Sequence, residues 1–299
     1  MWVIFVEWRL TLSGPSLVQL RTFAEVAAQG SFSKAAQVLA VSQPAVTAQI
    51  RALEVRYATR LFDRTRSGAL LTPIGQRLFE RTAAIRDAEL SATEVLAASA
   101  TLQVGELRIL AGAPGPAMTL IARFRRNFPG IRLSTGFGNW DEVVQGVRER
   151  QADVGILTEA PDDPGLVREP WLDQRIVALV PEGHPLSARR SVSLNELRHE
   201  PLLFRTKQSH TQKTIDRRLD LLGLRIEPLM VLAAREAIYE AAAQGLGIGF
   251  MFDAASSRSD GVVRIGIDEL PDTYAEDVFC LQSQRHFRAI SAFFEIAKP

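Results

Sequence analysis

A short helical segment near the start of the chain has an outward face that consists mainly of small residues and carries a few polar side chains. It is SQPAVTAQIRALE, residues 42–54. At 100° per residue, Val46, Ile50 and Leu53 share one face, which is typical of a helix packed on a core. The opposite face has small residues and one arginine instead of the Lys and Glu of a solvated surface. Such a face can approach base edges closely, and the candidate contact residues are Ser42, Gln43, Pro44, Thr47 and Arg51.

Arginines are concentrated in and directly after this segment. Residues 51–66 contain Arg51, Arg56, Arg60, Arg64 and Arg66. Residues 1–82 hold ten Lys and Arg and five Asp and Glu, while the whole chain has a net charge of +1, so the remainder is mildly acidic. A basic front module predicts binding to a polyanion. A solvated Arg-rich turn would explain the charge alone equally well.

Three short helices would position these side chains. Apolar spacing predicts a first helix over residues 16–28, ended by Gly30, and a second helix capped by Ser33. The third helix is capped by Ser42, with Pro44 just inside it. The tight turn before the third helix is typical of a helix-turn-helix, whose second helix enters the major groove of DNA.

The next stretch, RYATRLFDRTRSGALLT, has two apolar strand-like pieces around a glycine turn. It predicts a basic hairpin, or wing, whose arginines would lie on phosphates. The alternative is a small helical domain whose small face packs on another helix. The arginine cluster favours DNA binding over that alternative.

A long helical pattern follows, from Pro73 to about Ser99. At a rise of 1.5 Å per residue it would form a rod of ~40 Å. A helix of this length with one apolar stripe needs a partner surface. That surface belongs either to a second subunit or to the same chain.

From Gly105 onward, strand-like and helical segments alternate, which predicts parallel α/β units. The pattern divides into two lobes with connections near 161–176 and 268–280. Lobes of this kind leave a cleft at the carboxyl ends of their strands. The sequence therefore predicts a ligand cleft in the back module.

Four predicted helices of the back module begin beside that cleft. Helix N-termini offer free N–H groups and a positive dipole end, which suit anions. Hydroxyls at Ser209 and Thr211 and the charge of Arg205 would add to this chemistry. For Ser209 a plain helix cap is an equal alternative, and for Arg205 a surface ion pair is. The candidate effector-binding residues are Ala113, Pro114, Asn139, Trp140, Arg205, Ser209, His210, Thr211, Arg235 and Glu236.

The sequence lacks the residues that a disulfide, a metal site, a dinucleotide site or a catalytic site would need. The single cysteine, Cys280, excludes an internal disulfide and is expected to be a buried structural thiol, with a redox sensor as the alternative. The four scattered histidines have no Cys or acidic neighbours at ligand spacing, so no metal site is predicted. GLGIG at 245–249 precedes a strand, unlike a dinucleotide fingerprint. No catalytic residue and no cofactor is predicted, which disfavours an enzyme.

The first ten residues, MWVIFVEWRL, form an apolar run broken by Glu7. They lack the basic start and the cleavage site of a signal peptide, and they are too short to span a bilayer. No other stretch approaches ~18 unbroken apolar residues. The sequence therefore predicts a cytoplasmic protein with no membrane partner.

Beyond these patterns, the run from LRTFAEVAAQGSFSKAA through SQPAVTAQIRALE to the LF-R and LT-G motifs resembles the winged helix-turn-helix of the LysR-type transcriptional regulators. The resemblance implies a DNA-binding domain over 13–72, a wing over 64–71, and a linker helix over 73–100 that pairs with a second subunit. The candidate DNA-contact set is Ser33, Lys34, Ser42, Gln43, Pro44, Thr47, Arg51, Arg56, Arg64 and Arg66.

The back module resembles the effector domain of the same family, which is similar to type 2 periplasmic solute-binding proteins. Its clearest parts are FPGIRLSTGFGNWDEVVQGVRERQADVGIL and REAIYEAAAQGLGIGF. The resemblance implies an effector domain over 105–299, with lobe one at about 105–170 and 281–299 and lobe two at about 171–280. The lobe-two sequence is most similar to a subgroup associated with 2-aminoethylphosphonate breakdown, although APGPAM at 113–118 departs from the bulkier cleft residues expected there.

Together these features favour a cytoplasmic LysR-type regulator of α/β class. Its expected partners are double-stranded promoter DNA, a small anionic effector, RNA polymerase and further copies of itself, as a homodimer or homotetramer. Two alternatives differ in function. A solute-binding protein of transport would need a signal peptide and no basic helix-turn-helix, and a protein that only organises DNA would not need a cleft.

Overall fold

The computed structural model of the chain describes residues 14–65, 68–96 and 105–298. The chain divides into two compact units, 1–99 and 100–299. The first unit is mainly helical, and the second consists of two sheets covered by helices, so the fold is α/β as the sequence predicts.

The first unit contains three short helices, a two-stranded hairpin and a long helix. Their bounds are α1 Leu17–Gln29, α2 Phe32–Val38, α3 Gln43–Arg56, β1 Phe62–Thr65, β2 Gly68–Leu71 and α4 Pro73–Leu96. Gly30 ends α1 in the left-handed conformation, with φ of 57°. The core between these elements includes Phe23, Ile50, Leu53 and Phe62, and the rings of Phe23 and Phe62 lie 5.3 Å apart.

Two boundaries in the first unit differ from the prediction. Ser31, not Ser33, caps α2, because its hydroxyl accepts a hydrogen bond from the Lys34 backbone N–H at 3.4 Å. Ser33 therefore lies in the first turn of α2. The hairpin begins at Phe62, two residues before the predicted wing, and Arg66 lies outside the described residues.

The second unit has one sheet in each lobe. Lobe one contains β3 Gly105–Ala111, α5 Pro114–Asn127, β4 Ile131–Phe137, α6 Trp140–Arg148, β5 Val154–Thr158 and β6 Leu166–Gln174. Lobe two contains β7 Ile176–Pro181, β8 Ser191–Val192, α7 Leu194–Leu197, β9 Leu202–Arg205, α8 His210–Leu221, β10 Met230–Leu232, α9 Arg235–Ala243, β11 Ile248–Phe252 and β12 Val262–Ile267. The chain then returns to lobe one with β13 Tyr274–Leu281 and α10 Arg288–Ala297.

The order of strands is β4-β3-β5-β13-β6 in lobe one and β10-β9-β11-β7-β12-β8 in lobe two. The strands β3, β4 and β5 run parallel, as do β9, β10 and β11. Their carboxyl ends therefore face the space between the lobes, where α/β sheets bind ligands.

The predicted lobe boundaries need correction. The sequence assigned residues 171–280 to lobe two, but β6 extends to Gln174 and β13 begins at Tyr274, and both strands belong to the lobe-one sheet. The chain therefore crosses between lobes at residue 175 and between residues 267 and 274. In sequence, β6 resembles a connecting segment, because it contains Pro170. It is nevertheless an edge strand, and an edge strand tolerates a residue without an N–H.

Each lobe has its own core. The lobe-one core includes Phe124, Phe279, Phe293 and Phe294, each fully buried.

Among the described residues, no helix has the length and apolar character to cross a membrane.

Candidate functional site

The helix α3 presents the small face that the sequence suggested. Val46, Ile50 and Leu53 are at most 2% exposed and anchor the helix to the core. Thr47 is half-buried at the margin of the opposite face. The exposed residues of that face are Gln43, Pro44, Ala45, Ala48, Arg51 and Ala52.

The start of α3 is fixed by hydrogen bonds to its own segment and to α2. The Ser42 hydroxyl accepts a bond from the Ala45 N–H at 3.3 Å and caps the helix. The Ser33 hydroxyl donates to Gln43 Oε1 at 3.0 Å, which joins α2 to α3 at the surface. Lys34 is exposed beside this pair. The structure thus brings Ser33, Lys34 and Gln43 together on one surface.

The basic residues of α3 and of the segment after it lie on different elements. Arg51 and Arg56 are exposed on α3, and the Arg56 guanidinium lies 5.7 Å from the Tyr57 ring centroid. The backbone of Arg64 pairs with Ala69 in the hairpin.

Sequence reasoning missed one residue that positions the hairpin. Glu54 Oε1, on α3, accepts hydrogen bonds from the N–H groups of Leu61 at 2.8 Å and Phe62 at 3.3 Å. This carboxylate ties the carboxyl-terminal half of α3 to the first strand of the wing. The sequence offered one signal for this contact, which is an acidic residue within an Arg-rich segment. The partners of Glu54 are backbone N–H groups, and these leave no mark in the sequence.

The second unit holds a cavity of about 570 Å³ between its lobes. It lies at the carboxyl ends of strands in both sheets, as the topology requires. All ten residues that the sequence predicted as effector contacts line it: Ala113, Pro114, Asn139, Trp140, Arg205, Ser209, His210, Thr211, Arg235 and Glu236.

Three of the four helix N-termini at the cavity lack a side-chain cap. Within the described part of the chain, no side chain caps the first N–H groups of α5, α8 or α9, and Ser209, the N-cap of α8, makes no such bond. The helix α10, which begins elsewhere, also lacks one. The uncapped N–H groups of α8 and α9 can bind an anion, while α5 offers fewer of them because Pro114 and Pro116 have no N–H.

The fourth helix N-terminus, that of α6, differs from the prediction. Asn139 accepts a bond from the Glu142 N–H, and Glu142 in turn accepts one from the Asn139 N–H, which closes a capping box. The Trp140 indole N–H donates to the Glu159 carbonyl at 3.1 Å. These residues line the cavity, but the N-terminus of α6 is closed by its own side chains.

Two arginines lie at the lobe-two wall of the cavity. Arg205 Nη2 donates to the Ala233 carbonyl at 2.9 Å, while its Nε has no partner among the described residues. Burial, followed by the nearby charge of Arg235, lowers the pKa of Arg205 to about 10. Arg235 Nη1 donates across the cleft to the Gly112 carbonyl at 2.7 Å. Both guanidiniums remain charged at neutral pH and favour an anionic ligand.

A further contact crosses the cleft at His210. Its Nε2 lies 3.0 Å from Glu159 Oε2 of lobe one, and its ring stacks on Phe252 at 6.0 Å. Burial lowers the pKa of His210, and the charge of Glu159 partly offsets this. From the same helix, Lys213 Nζ lies 3.8 Å from Asp141 Oδ2 of lobe one.

Sequence reasoning missed a polar cluster below the cavity. Glu276 Oε2 accepts hydrogen bonds from Thr158 Oγ1 at 2.6 Å and Gln174 Nε2 at 2.7 Å. Thr158 and Gln174 also line the cavity, and Glu276 is fully buried. Burial raises the pKa of Glu276 to about 7. The available signal was a polar residue inside the apolar strand AEDVFCL, but its partners lie 102 and 118 positions away.

Two further observations concern acidic, histidine and cysteine side chains. Among the described residues, no group of three or more His, Cys, Asp or Glu side chains could hold a metal ion. Cys280 is fully buried in the lobe-one core, and burial raises its thiol pKa to about 12. The thiolate needed for redox chemistry is therefore strongly disfavoured.

Two family models match the chain. The model described as "Bacterial regulatory helix-turn-helix protein, lysR family" covers residues 17–76, and the "LysR substrate binding domain" covers residues 100–299. The regulator CysL of Bacillus subtilis (strain 168) is 30% identical over 78% of this chain and 79% of its own length. The regulator CbbR of Sinorhizobium medicae (strain WSM419) is 31% identical over 86% of this chain and 83% of its own length.

A solved structure has the same fold. It is that of a full-length OxyR variant from Pseudomonas aeruginosa, which matches 96% of this chain and 95% of its own, with a TM-score of 0.80 and 20% identity. At this level of identity the match supports the fold alone.

Proposed function

Since the chain belongs to the LysR family of bacterial transcriptional regulators, we propose that it reads promoter DNA with the exposed face of α3 and binds a small anionic effector in the cavity between its lobes. LysR-type regulators bind promoter DNA and small-molecule effectors and act as oligomers. Family membership rules out the alternative of a solute-binding protein without a transcriptional role. It also makes the chain a regulator rather than an enzyme.

The DNA-contact proposal rests on the exposed surface of α3. Its small residues let the helix approach a groove, while Gln43, Thr47 and Arg51 supply donors and acceptors for base edges. Ser33 supports Gln43 through the hydrogen bond between α2 and α3. Lys34, Arg56 and the wing arginines Arg64 and Arg66 would contact phosphates.

Salt titrations separate the two kinds of contact. Arg51→Ala should lower affinity for a specific promoter about tenfold and affect unrelated DNA much less, because base readout carries the discrimination. Arg64→Ala and Arg66→Ala should weaken binding to both DNAs and lower the salt slope by about one each. Unchanged binding by all three variants would contradict the proposal.

The effector proposal rests on one observation: three helix N-termini without side-chain caps and two arginines converge on the same cavity. The subgroup similarity suggests 2-aminoethylphosphonate as the effector, and a carboxylate would fit the same chemistry. Glu142 and Glu236 also line the cavity. Those carboxylates would favour a ligand that carries a positive group beside its anionic one.

Thermal-shift screening tests the effector, because a ligand that binds the native state raises its melting temperature. We expect 2-aminoethylphosphonate to stabilise the protein, and Arg205→Gln to abolish most of the shift. An aromatic or aliphatic carboxylate that gives a shift when 2-aminoethylphosphonate gives none would reject the phosphonate and retain the anion site. The exposed surface variant Lys298→Gln serves as a charge-matched control.

Assembly and location complete the proposal. We propose that α4 pairs with α4 of a second subunit, that dimers form alone or within tetramers, and that the protein acts on RNA polymerase in the cytoplasm. A dimer places two recognition helices on one partly palindromic site. Analytical ultracentrifugation that finds only monomers at micromolar concentration would contradict the assembly.

A further inference from the structure

One acidic residue of lobe one reaches the start of a lobe-two helix at the cavity. Glu159 follows β5, and its carboxylate lies 3.0 Å from His210 Nε2 in the first turn of α8. The neighbours of His210, Ser209 and Thr211, line the cavity with it. Glu159 therefore places a negative charge beside an uncapped helix N-terminus, which is where an anionic ligand would also be stabilised.

The backbone of Glu159 is held in an unfavourable conformation. Its φ is +50°, a left-handed value that residues other than glycine rarely adopt. Two hydrogen bonds within lobe one hold it there: its N–H donates to the Ala275 carbonyl at 2.8 Å, and its carbonyl accepts from the Trp140 indole at 3.1 Å. Such strain persists only where the surroundings impose it, and it clusters at functional sites.

The partner of Glu159 is equally well positioned on the other lobe. The His210 ring is nearly parallel to the Phe252 ring, with an interplanar angle of 18°. This stacking holds the imidazole in place while its Nε2 faces lobe one. Lys213, one turn further along α8, faces Asp141 in the same way. Two acids of lobe one thus attract one helix of lobe two across the cleft.

The pair can be displaced by a ligand. The Glu159 side chain is 51% exposed, and burial lowers the pKa of His210, so at neutral pH the contact is mainly a hydrogen bond to an uncharged imidazole, which water at an exposed position weakens. A ligand anion that also bonds to Arg205 and the helix N–H groups gains more than this single contact supplies. Competition between the two anions would therefore favour the ligand.

We infer that Glu159 is an internal competitor of the effector: its carboxylate binds His210, a residue of the cavity wall, and holds the lobes together until the effector anion replaces it there. This inference rests on the proposed effector site and adds a mechanism to it. Exchange of one anion for the other removes a contact between the lobes. Effector binding would then change the lobe arrangement, because the effector has a differential affinity for the two arrangements.

Neutralising Glu159 tests the inference. Glu159→Asn removes the charge and introduces the residue that, after glycine, best tolerates a left-handed backbone, so the fold is preserved. Asp141→Asn is the matched control, because it removes a lobe-one acid that faces the same helix through Lys213, which does not line the cavity, whereas Glu159 contacts the cavity residue His210. The probes are 2-aminoethylphosphonate, inorganic phosphate and acetate, with dissociation constants measured by calorimetry on the full-length protein.

We expect Glu159→Asn to bind the best probe about fivefold more tightly than the unmodified protein, and Asp141→Asn to bind it equally. In His210→Gln the effect of Glu159→Asn should disappear, because the two residues act as a pair. Without any probe, Glu159→Asn should also shift promoter affinity in the direction that the probe shifts it in the unmodified protein.

Three outcomes are distinguishable from this result. Equal or weaker probe binding by Glu159→Asn overturns the inference and leaves the anion site in place. An equal gain in Asp141→Asn also overturns it, since the effect would then be general electrostatics. If no probe binds any of the proteins, both the inference and the proposed anionic effector fall.

Discussion

The helices of the first unit and three of the four helices at the cavity begin in different ways. Each of the helices α1 to α4, which the described residues of the first unit form, starts at a hydroxyl that accepts an N–H bond, namely Ser16, Ser31, Ser42 and Thr72. At the cavity, α5, α8 and α9 start without a side-chain cap among the described residues. The first arrangement satisfies the helix within its own segment, whereas the second leaves N–H groups for a ligand.

This difference separates two ways to build a recognition surface. The α3 surface is complete in the folded segment, and its specificity comes from exposed side chains. The cavity is lined by groups from both lobes. Its binding groups are the backbone N–H groups of helix N-termini and charged side chains such as Arg205 and Arg235, which lie on separate elements. Four predictions test this comparison, from the largest expected effect to the smallest.

The buried carboxylate below the cavity should give the largest effect. Burial raises the pKa of Glu276 to about 7, although the hydrogen bond from Thr158 and the charge of Arg235 partly offset this. Because the folded pKa lies above the unfolded value of 4.5, this residue favours the folded state most below pH 4.5, and that contribution is lost as pH rises through 7. Between pH 4.5 and 8, the free energy of unfolding should fall relative to Glu276→Gln by up to about 3 kcal/mol.

Urea unfolding at a series of pH values measures this difference. The pH-dependent loss should appear in the transition of the second unit, which contains Glu276. Parallel pH profiles for the unmodified protein and Glu276→Gln would show that the carboxylate is already ionised without cost. The burial of Glu276 would then have no energetic consequence that distinguishes the cavity from the α3 surface.

The DNA-contact surface should respond to a single added side chain. Ala48 is exposed on the small face of α3, so Ala48→Glu should leave the fold intact. It adds bulk and negative charge where the helix would meet DNA, and affinity should fall by about 100-fold or more. Fluorescence anisotropy with a promoter fragment measures the change. Gln145→Glu, at an exposed position of α6, is the control for added charge and should bind normally.

The caps themselves provide an intermediate effect. Ser42→Ala removes a cap bond and should lower the free energy of unfolding of the first unit by about 1 kcal/mol. Ser209→Ala removes a hydroxyl that makes no cap bond, so stability should change by less than about 0.5 kcal/mol. Equal losses in the two variants, measured by urea unfolding, would erase the distinction between capped and uncapped helix starts.

The smallest effect should come from the thiol. Cys280 is fully buried and burial raises its pKa to about 12. A thiol reagent should therefore react at pH 8 only as fast as the protein unfolds locally, and peroxide should leave DNA binding unchanged. Rapid labelling of the native protein would contradict the burial and reopen a redox role for lobe one.

The sequence determined much of the fold because its signals are local. Val46, Ile50 and Leu53 follow the helical period, Ser42 and Pro44 mark the start of α3, and Gly30 ends α1. These features involve residues within a few positions of one another, so they can be read before the chain is folded. The strand and helix alternation of the second unit is local in the same sense, and it predicted where the cleft would lie.

Local signals also explain the errors. Ser31 and Ser33 are both good caps two residues apart, and only the folded backbone shows that Ser31 accepts the bond. The edge strand β6 contains Pro170 and was predicted to be a connection between lobes. Its pairing partner β13 lies about a hundred residues later in the chain, so no local signal indicated the pairing. The N-terminus of α6 was predicted to be free, but Glu142 closes it.

By itself, then, the sequence determined the helix-turn-helix, the two-lobed module and the positions of the helix starts that line the cavity. Tertiary structure alone decided that Glu276 is buried against Thr158 and Gln174, that Arg235 reaches the Gly112 carbonyl, and that Glu159 meets His210 across the cleft. The physical reason is distance along the chain. Helical period and capping depend on neighbours in sequence, whereas burial, pKa shifts and contacts between lobes depend on residues that only folding brings together.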